Sequence, residues 1–191
     1  MHSRKLSLLA TLAAALPFTT HAGTMDYSYA ELAYVDTELD EDIADVDGDG
    51  FSLRGSLAIN EMFFVFAGYQ DLSFDFGIDA TAIEVGGGAH WPLQDKLDIV
   101  GRVGILKTEV ELGNIDEDED GFVIGARLRA EVAPRFELEG GVDYADLDDV
   151  GNSTSIVGEA RYFFMDQLSG GLLLEIGDDT TTIGVAARWT F

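Results

Sequence analysis

An all-β, closed antiparallel barrel of ten strands crossing a lipid bilayer is the fold predicted by this sequence of 191 residues, on three observations. Apolar and polar residues alternate through segment after segment, a period of two that marks extended chain. The arginines of those segments share a face with the glutamates, while Phe, Leu, Ile, Val, Tyr and Trp hold the other. Five stretches between them, 36–49, 71–79, 113–121, 146–153 and 177–180, carry 21 Asp or Glu and no Lys or Arg. A soluble sheet buries its grease and wets its charges. Here the order reads reversed, as lipid demands.

The first 22 residues read as a secretory signal peptide. Arg4 and Lys5 give a charged start, Leu6 to Leu16 an apolar run, and Thr20-His21-Ala22 a small-residue cleavage site. The run is too short to cross a bilayer as a helix, which takes about 20 residues. Cleavage would leave Gly23 to Phe191 as one barrel domain, and the loss of two bases moves the formal charge from −25 to −27. Such acidity makes nucleic acid a poor partner. With no cysteine, no disulfide framework holds the exported chain, and a closed barrel needs none.

The strands follow in order. Residues 25–35 carry Glu31 in an apolar or small setting. The second strand sets Phe51, Leu53, Leu57 and Ile59 against Ser52, Arg54 and Asn60. Residues 62–70 have aromatics on both faces, and 80–91 place Ile83, Val85 and Trp91 opposite Glu84 and His90. Residues 97–112 set Leu97, Ile99, Val103 and Ile105 against Arg102. The sixth strand opposes Phe122, Ile124, Leu128 and Val132 to Arg127, Arg129 and Glu131. The seventh opposes Phe136, Leu138, Val142 and Tyr144 to Glu137, Glu139 and Asp143, and the eighth Ile156, Tyr162 and Phe164 to Glu159 and Arg161. Residues 168–177 hold Glu175, and the last strand sets Ile183, Val185, Trp189 and Phe191 against Arg188. Four short connections alternate with five long acidic ones, so turns lie in the periplasm and acidic loops outside. Eight strands is the alternative, should 71–79 and 177–180 be too short for loops.

Arginine on the lipid face costs about 2–4 kcal/mol near the midplane, so the inward phase of six of the seven mature arginines is what a membrane requires. Inside, each guanidinium needs a carboxylate. The expected lumen network is Glu31, Arg54, Glu84, Arg102, Arg127, Arg129, Glu131, Glu137, Glu139, Asp143, Glu159, Arg161, Glu175 and Arg188. It either fills the barrel structurally or lines a narrow, porin-like pore for small solutes.

Two stretches, Asp45-Val46-Asp47-Gly48-Asp49-Gly50 and Asp116-Glu117-Asp118-Glu119-Asp120-Gly121, fit D-x-D-x-D-G, like the opening half of a calcium loop. The closing Glu is missing, with Ser56 and Arg127 in its place, so an EF-hand is rejected. No cofactor is expected beyond weak Ca²⁺ or Mg²⁺ at these carboxylates. A surface-binding role, with the acidic loops holding cations or a basic partner, is the alternative function. Catalysis is not expected: His90 is the one histidine of the mature chain, it sits at a short turn, and no cysteine or second histidine supports a nucleophile.

Trp91, Phe136, Tyr162, Phe164, Trp189 and Phe191 cluster by the short turns, where an interfacial girdle belongs. The terminal Ala187-Arg188-Trp189-Thr190-Phe191 resembles the signal read by the outer-membrane assembly machinery, with Trp189 and Phe191 as its aromatics. The chain as a whole resembles small outer-membrane β-barrel proteins of Gram-negative bacteria. It is similar to the acidic xanthomonad family named for activating plant immunity, through Tyr27-Ser28-Tyr29, Asp47-Gly48-Asp49-Gly50-Phe51, Phe64-Val65-Phe66-Ala67-Gly68-Tyr69 and the aromatic terminus. The resemblance implies an outer-membrane location, with lipid and the assembly machinery as partners and no helical membrane partner. It brings no catalytic residues.

Overall fold

The computed structural model describes residues 25–39, 46–113, 115–148 and 151–191. The expected signal peptide and Asp45 lie outside the described residues. The strands are β1 (Tyr29–Leu39), β2 (Val46–Ala58), β3 (Phe63–Phe74), β4 (Ile78–Gln94), β5 (Leu97–Leu112), β6 (Ile115–Ala133), β7 (Phe136–Leu147), β8 (Gly151–Phe163), β9 (Leu168–Ile176) and β10 (Thr180–Thr190). Each pairs antiparallel with its neighbour, and β1 closes on β10 from Tyr29↔Thr190 to Leu39↔Thr180. The barrel therefore has ten strands and no free edge; the eight-stranded alternative falls.

Closure sets the tilt. From Val35 the register leads through Gly50, Leu72 and Ala80 to Val110 of β5. In the other sense it leads through Gly184, Leu173, Glu159, Glu139 and Arg129 to Asp98 of the same strand. The two arrivals, positions 110 and 98, lie twelve residues apart, and a stagger of that kind obliges the strands to lean across the barrel axis.

The solvent reversal is plain in the exposures. Ile105 is 70% exposed and Phe51 59%, whereas Arg161 and Arg188 are 3% and Glu31 2%. On β6 all six outward positions from Phe122 to Val132 are apolar, over a span of eleven residues, the length a tilted strand needs to span hydrocarbon. No helix among the described residues is long and apolar enough to cross a membrane.

The strands run past this band at the acidic end. Segments read as loops from their Asp and Glu content continue the ladder instead: Asp47 and Asp49 belong to β2, and β6 begins at Ile115. Outward aromatics mark the level where apolar gives way to acid. Tyr34 packs edge-on against Phe51, Phe122 lies beside Tyr144, and the Tyr34 and Tyr69 hydroxyls donate to Asp49 and Asp71, each at 2.9 Å. At the other end the turns are tight: Asn60 Oδ1 accepts from the amides of Met62 and Phe63, and Lys96 and Arg135 take left-handed φ of 76° and 66°.

The lumen is packed. One apolar cluster, Tyr27, Phe64 and Val100 with Met25 and Phe66, sits toward the short-turn end. A second, Ala33, Val35 and Leu72 with Phe74, Leu173 and Ala186, sits toward the acidic end. The second requires Gly184, where a Cβ would lie 2.9 Å from both the Tyr34 carbonyl oxygen and Val35 Cγ1. Between the two clusters lie the charges.

Candidate functional site in the barrel lumen

Parity places the charges. On β1, Tyr29, Glu31, Ala33, Val35 and Thr37 face inward, and the cross-strand partners of Glu31 are Arg54 on β2 and Arg188 on β10. Glu31 therefore meets two guanidiniums from its own neighbours. Arg54 donates to Oε1, Arg188 Nε donates to Oε2 at 2.7 Å, and Arg161 Nη2 stands 3.8 Å away. Glu159 of β8 binds the same three: Arg54 Nη1 at 2.7 Å, Arg188 Nη2 at 3.3 Å, and Arg161. Arg161 Nη1 goes on to Glu137 at 2.7 Å, and both Glu137 oxygens accept from Arg129 Nη2 at 3.0 Å.

A second group lies beside the first. Arg127 donates to Asp143 and, at 3.2 Å, to Glu139; Arg102 pairs with Glu84 and stands 3.8 Å from Asp143. Gly125 makes room for it, since a Cβ there would fall 2.1 Å from Asp143 Oδ1 and 2.8 Å from Arg102 Cγ. Aromatic faces take part of the cationic charge: Arg102 lies 4.5 Å from the Phe66 centroid and Arg188 3.7 Å from that of Tyr29.

Twelve of the fourteen residues expected in the lumen meet in these two groups. Glu131 and Glu175 do not. Glu131 lies at the short-turn rim next to a register shift and pairs with the exposed Lys96 at 2.6 Å. Glu175 is exposed at the acidic end of β9, opposite Thr182 and Val157, and has no ion pair among the described residues. The carboxylates considered for metal divide differently. Asp47, Asp49, Asp118 and Asp120 point outward from strands, Asp118 lies 3.3 Å from Lys107 Nζ, and the Asp116 side chain and Asp45 are outside the described residues. No group of three metal-ligating side chains forms among the described residues.

The structure adds a latch to which the sequence reading assigned no role. Residues 25–28, ahead of β1, turn into the short-turn mouth. Tyr27 stacks on His90 with centroids 3.9 Å apart, lies under Arg129 at 4.8 Å, and donates its hydroxyl to Asp98 at 2.9 Å. His90 Nδ1 is 3.2 Å from the same Asp98 oxygen, and Arg129 Nη1 donates to the Asp26 carbonyl at 2.9 Å. Burial pushes the Tyr27 phenol above its ordinary range; Arg129 opposes this and Asp98 adds to it, so the group remains a donor. Asp98 was legible by parity, since it shares the inward phase of Arg102. Tyr27 shares the phase of Glu31 within the strand expected over 25–35, but β1 begins only at Tyr29, and the turn of residues 25–28 into the mouth has no signature in the alternation.

Outside the latch a cavity of about 790 Å³ opens at the mouth, lined by Met25, Asp26, Lys96, Arg135 and Phe163 among others. Inside it lies a cavity of about 60 Å³ lined by Tyr27, Phe64, Phe66 and four arginines. Arg129 borders both.

An outward apolar band, an enclosed charge network and complete strand closure define an integral β-barrel of the outer-membrane class. The chain belongs to the family described as the outer membrane protein beta-barrel domain, whose model matches residues 6–191, and such barrels sit in the outer membrane of Gram-negative bacteria. Comparison with curated proteins returns no match. Among solved structures, an outer membrane channel from Pseudomonas putida is similar with a TM-score of 0.58 at 9% identity, over 93% of this chain and 100% of that one. The KdgM porin gives 0.49 at 10% identity, over 84% and 99%. The attachment invasion locus protein Ail of Yersinia pestis gives 0.44 at 17%, over 86% and 100%.

Proposed function

We propose that the protein is a non-enzymatic, integral outer-membrane barrel whose lumen is closed by its own ion pairs, and that its role is structural, in the cell envelope. One observation carries this reading: Glu31, Glu137, Glu159, Arg129, Arg161 and Arg188 bridge β1, β6, β7, β8 and β10 across the interior with every side chain less than a tenth exposed. A solute pore through that layer would have to part charges that are costly to leave unpaired. The likeness to the Pseudomonas putida channel extends to the fold and carries no solute. His90 is enclosed between Tyr27 and Asp98, which supports a packing role for it. Planar-bilayer recording tests the proposal. The wild-type barrel is expected to give no stepwise conductance, and steady open-channel steps would overturn it in favour of a narrow pore.

The acidic end supports a second reading, in which the outer rim takes up Ca²⁺ or Mg²⁺ weakly. Asp36 stands directly opposite Asp49, and Glu38 opposite Asp47, across the β1–β2 ladder. Like charges at such short cross-strand distances repel, and a shared cation relieves them. Calorimetry with Ca²⁺ should give heat that is lost when Asp47 and Asp118 become Asn; no heat from the wild type ends this reading.

Within the family we read the chain as one of the acidic xanthomonad type, without its immune role. Residues 1–22 are its cleaved signal. Trp189 and Phe191 are its address to the assembly machinery, a reading supported by the outward exposure of Trp189 at the short-turn end.

A further inference from the structure

Closure leaves no edge along the shared length of the strands, but an edge reappears wherever one strand outruns its neighbour. β8 does so at the acidic end. It runs from Gly151 to Phe163, whereas β9 ends at Ile176, so the β8–β9 ladder stops at Ile156↔Ile176. On one side the residues Gly151–Ser155 pair with β7, from Leu147 to Asp143. On the other they meet no strand among the described residues.

The phase of the ladder identifies the backbone groups left open. Phe163 N–H donates toward β7, to the Arg135 carbonyl, and Phe164 N–H toward β9, to the Leu168 carbonyl. Alternate residues of a strand bond to opposite neighbours, so the even-numbered residues of β8 aim at the β9 side. Continued at the same register, β9 would set residue 178 opposite Thr154. The chain turns there instead, with Gly177 N–H donating to the Thr180 carbonyl at 2.7 Å. It is the Asp178 side chain that accepts from Thr154 N–H, at 3.2 Å. The Thr154 carbonyl and both backbone groups of Asn152 face the open side without a partner among the described residues.

Edges of this kind are ordinarily blunted by charge or Pro. β6 follows that rule: it outruns β7 too, and its overhang carries Asp116, Glu117, Asp118 and Glu119. Gly151-Asn152-Ser153-Thr154-Ser155 holds no charge and no Pro, and all but the half-buried Ser155 are exposed. An extended, uncharged backbone open along one side is a template for a further strand. The surroundings select the charge of that strand. Asp146 stands opposite Asn152, and Asp178 and Asp179 form the turn beside Thr154. No Lys or Arg occurs between residues 136 and 160 or between 162 and 187.

We infer that the open edge of β8 at Asn152 and Thr154 is a docking site for an extended, basic segment of a partner polypeptide, which adds to the sheet as a strand. Its backbone supplies the missing hydrogen bonds and displaces the Asp178 carboxylate from Thr154 N–H. Its Lys or Arg side chains then lie against Asp146, Asp178 and Asp179. The inference goes beyond the structural role proposed above and holds whether or not the lumen conducts.

The folded mature barrel, isotope-labelled in nanodiscs, tests it against a blocked peptide of about seven residues alternating Lys and Thr. Binding should shift the amide signals of Gly151 to Ser155 and slow hydrogen exchange at Asn152. The same peptide N-methylated on alternate residues keeps its charge but loses the pairing donors, and should bind about tenfold more weakly. Asn152→Pro removes an N–H that points away from β7, a position where an edge tolerates Pro. It should weaken binding by a similar factor with heat-modifiable gel migration unchanged, whereas Asn152→Ala should bind as the wild type does. Unmoved signals at 151–155, or binding undiminished by N-methylation or by Asn152→Pro, overturn the site, because charge alone would then explain any attraction. Shifts at these amides that grow with barrel concentration and need no peptide overturn it in favour of a second copy of the chain.

Discussion

Removing one carboxylate from the lumen leaves the cations around it without a counter-charge. Glu31 is the sharpest case, because Arg54 and Arg188 donate to it and Arg161 stands near. Glu31→Gln keeps the shape and removes the charge, and breaking a buried pair in this way costs about 3–5 kcal/mol. Urea unfolding of the barrel refolded in detergent should register a loss of that order. The matched control is Arg135→Ala: Arg135 faces Asp166 at 3.6 Å in the open, and exposed pairs of that kind contribute about 0–1 kcal/mol. The inward residues that sequence alone could identify were those in clean alternation. Glu131 and Glu175 share the right phase but sit at the two ends of the barrel, and phase carries no information about height.

At the scale of the strand, alternation told which face each residue takes, but composition misled about where strands stop. Asp, Gly and Asn are poor strand formers, so 36–49 and 113–121 read as loops. In the structure their flanks remain paired because the neighbouring strands are long enough to hold them: Glu109 faces Asp118 across β5 and β6 well above the aromatic level. The strand thus has a lipid-facing stretch and a wet stretch on one outward face, and substitution should tell them apart. Leu128→Arg, outward beside Arg127, should cost about 2–4 kcal/mol in vesicle-based folding titrations. Glu111→Arg, outward near the end of β5, should change stability by no more than about 0.5 kcal/mol. Equal penalties at the two positions would mean that the hydrocarbon boundary is misplaced.

For the whole molecule, closure was legible because ten alternating segments leave no unpaired edge to hide, whereas the latch at the mouth was not, because residues 25–28 read as the start of the first strand and β1 begins only at Tyr29. Its effect on access can be read out conveniently, since the chain has no cysteine. A thiol introduced as Ser56→Cys lies behind Tyr27 and should resist a charged methanethiosulfonate reagent. Adding Tyr27→Ala should speed labelling at least tenfold; equal rates would mean that the latch seals nothing. The seam between β1 and β10 has a consequence for biogenesis. The first strand of the barrel stays unpaired on one side until the last is made, because Tyr29 pairs there with Thr190. The barrel therefore closes only when its last strand is in place, and a chain broken off before that strand carries two raw edges open to pairing with other chains.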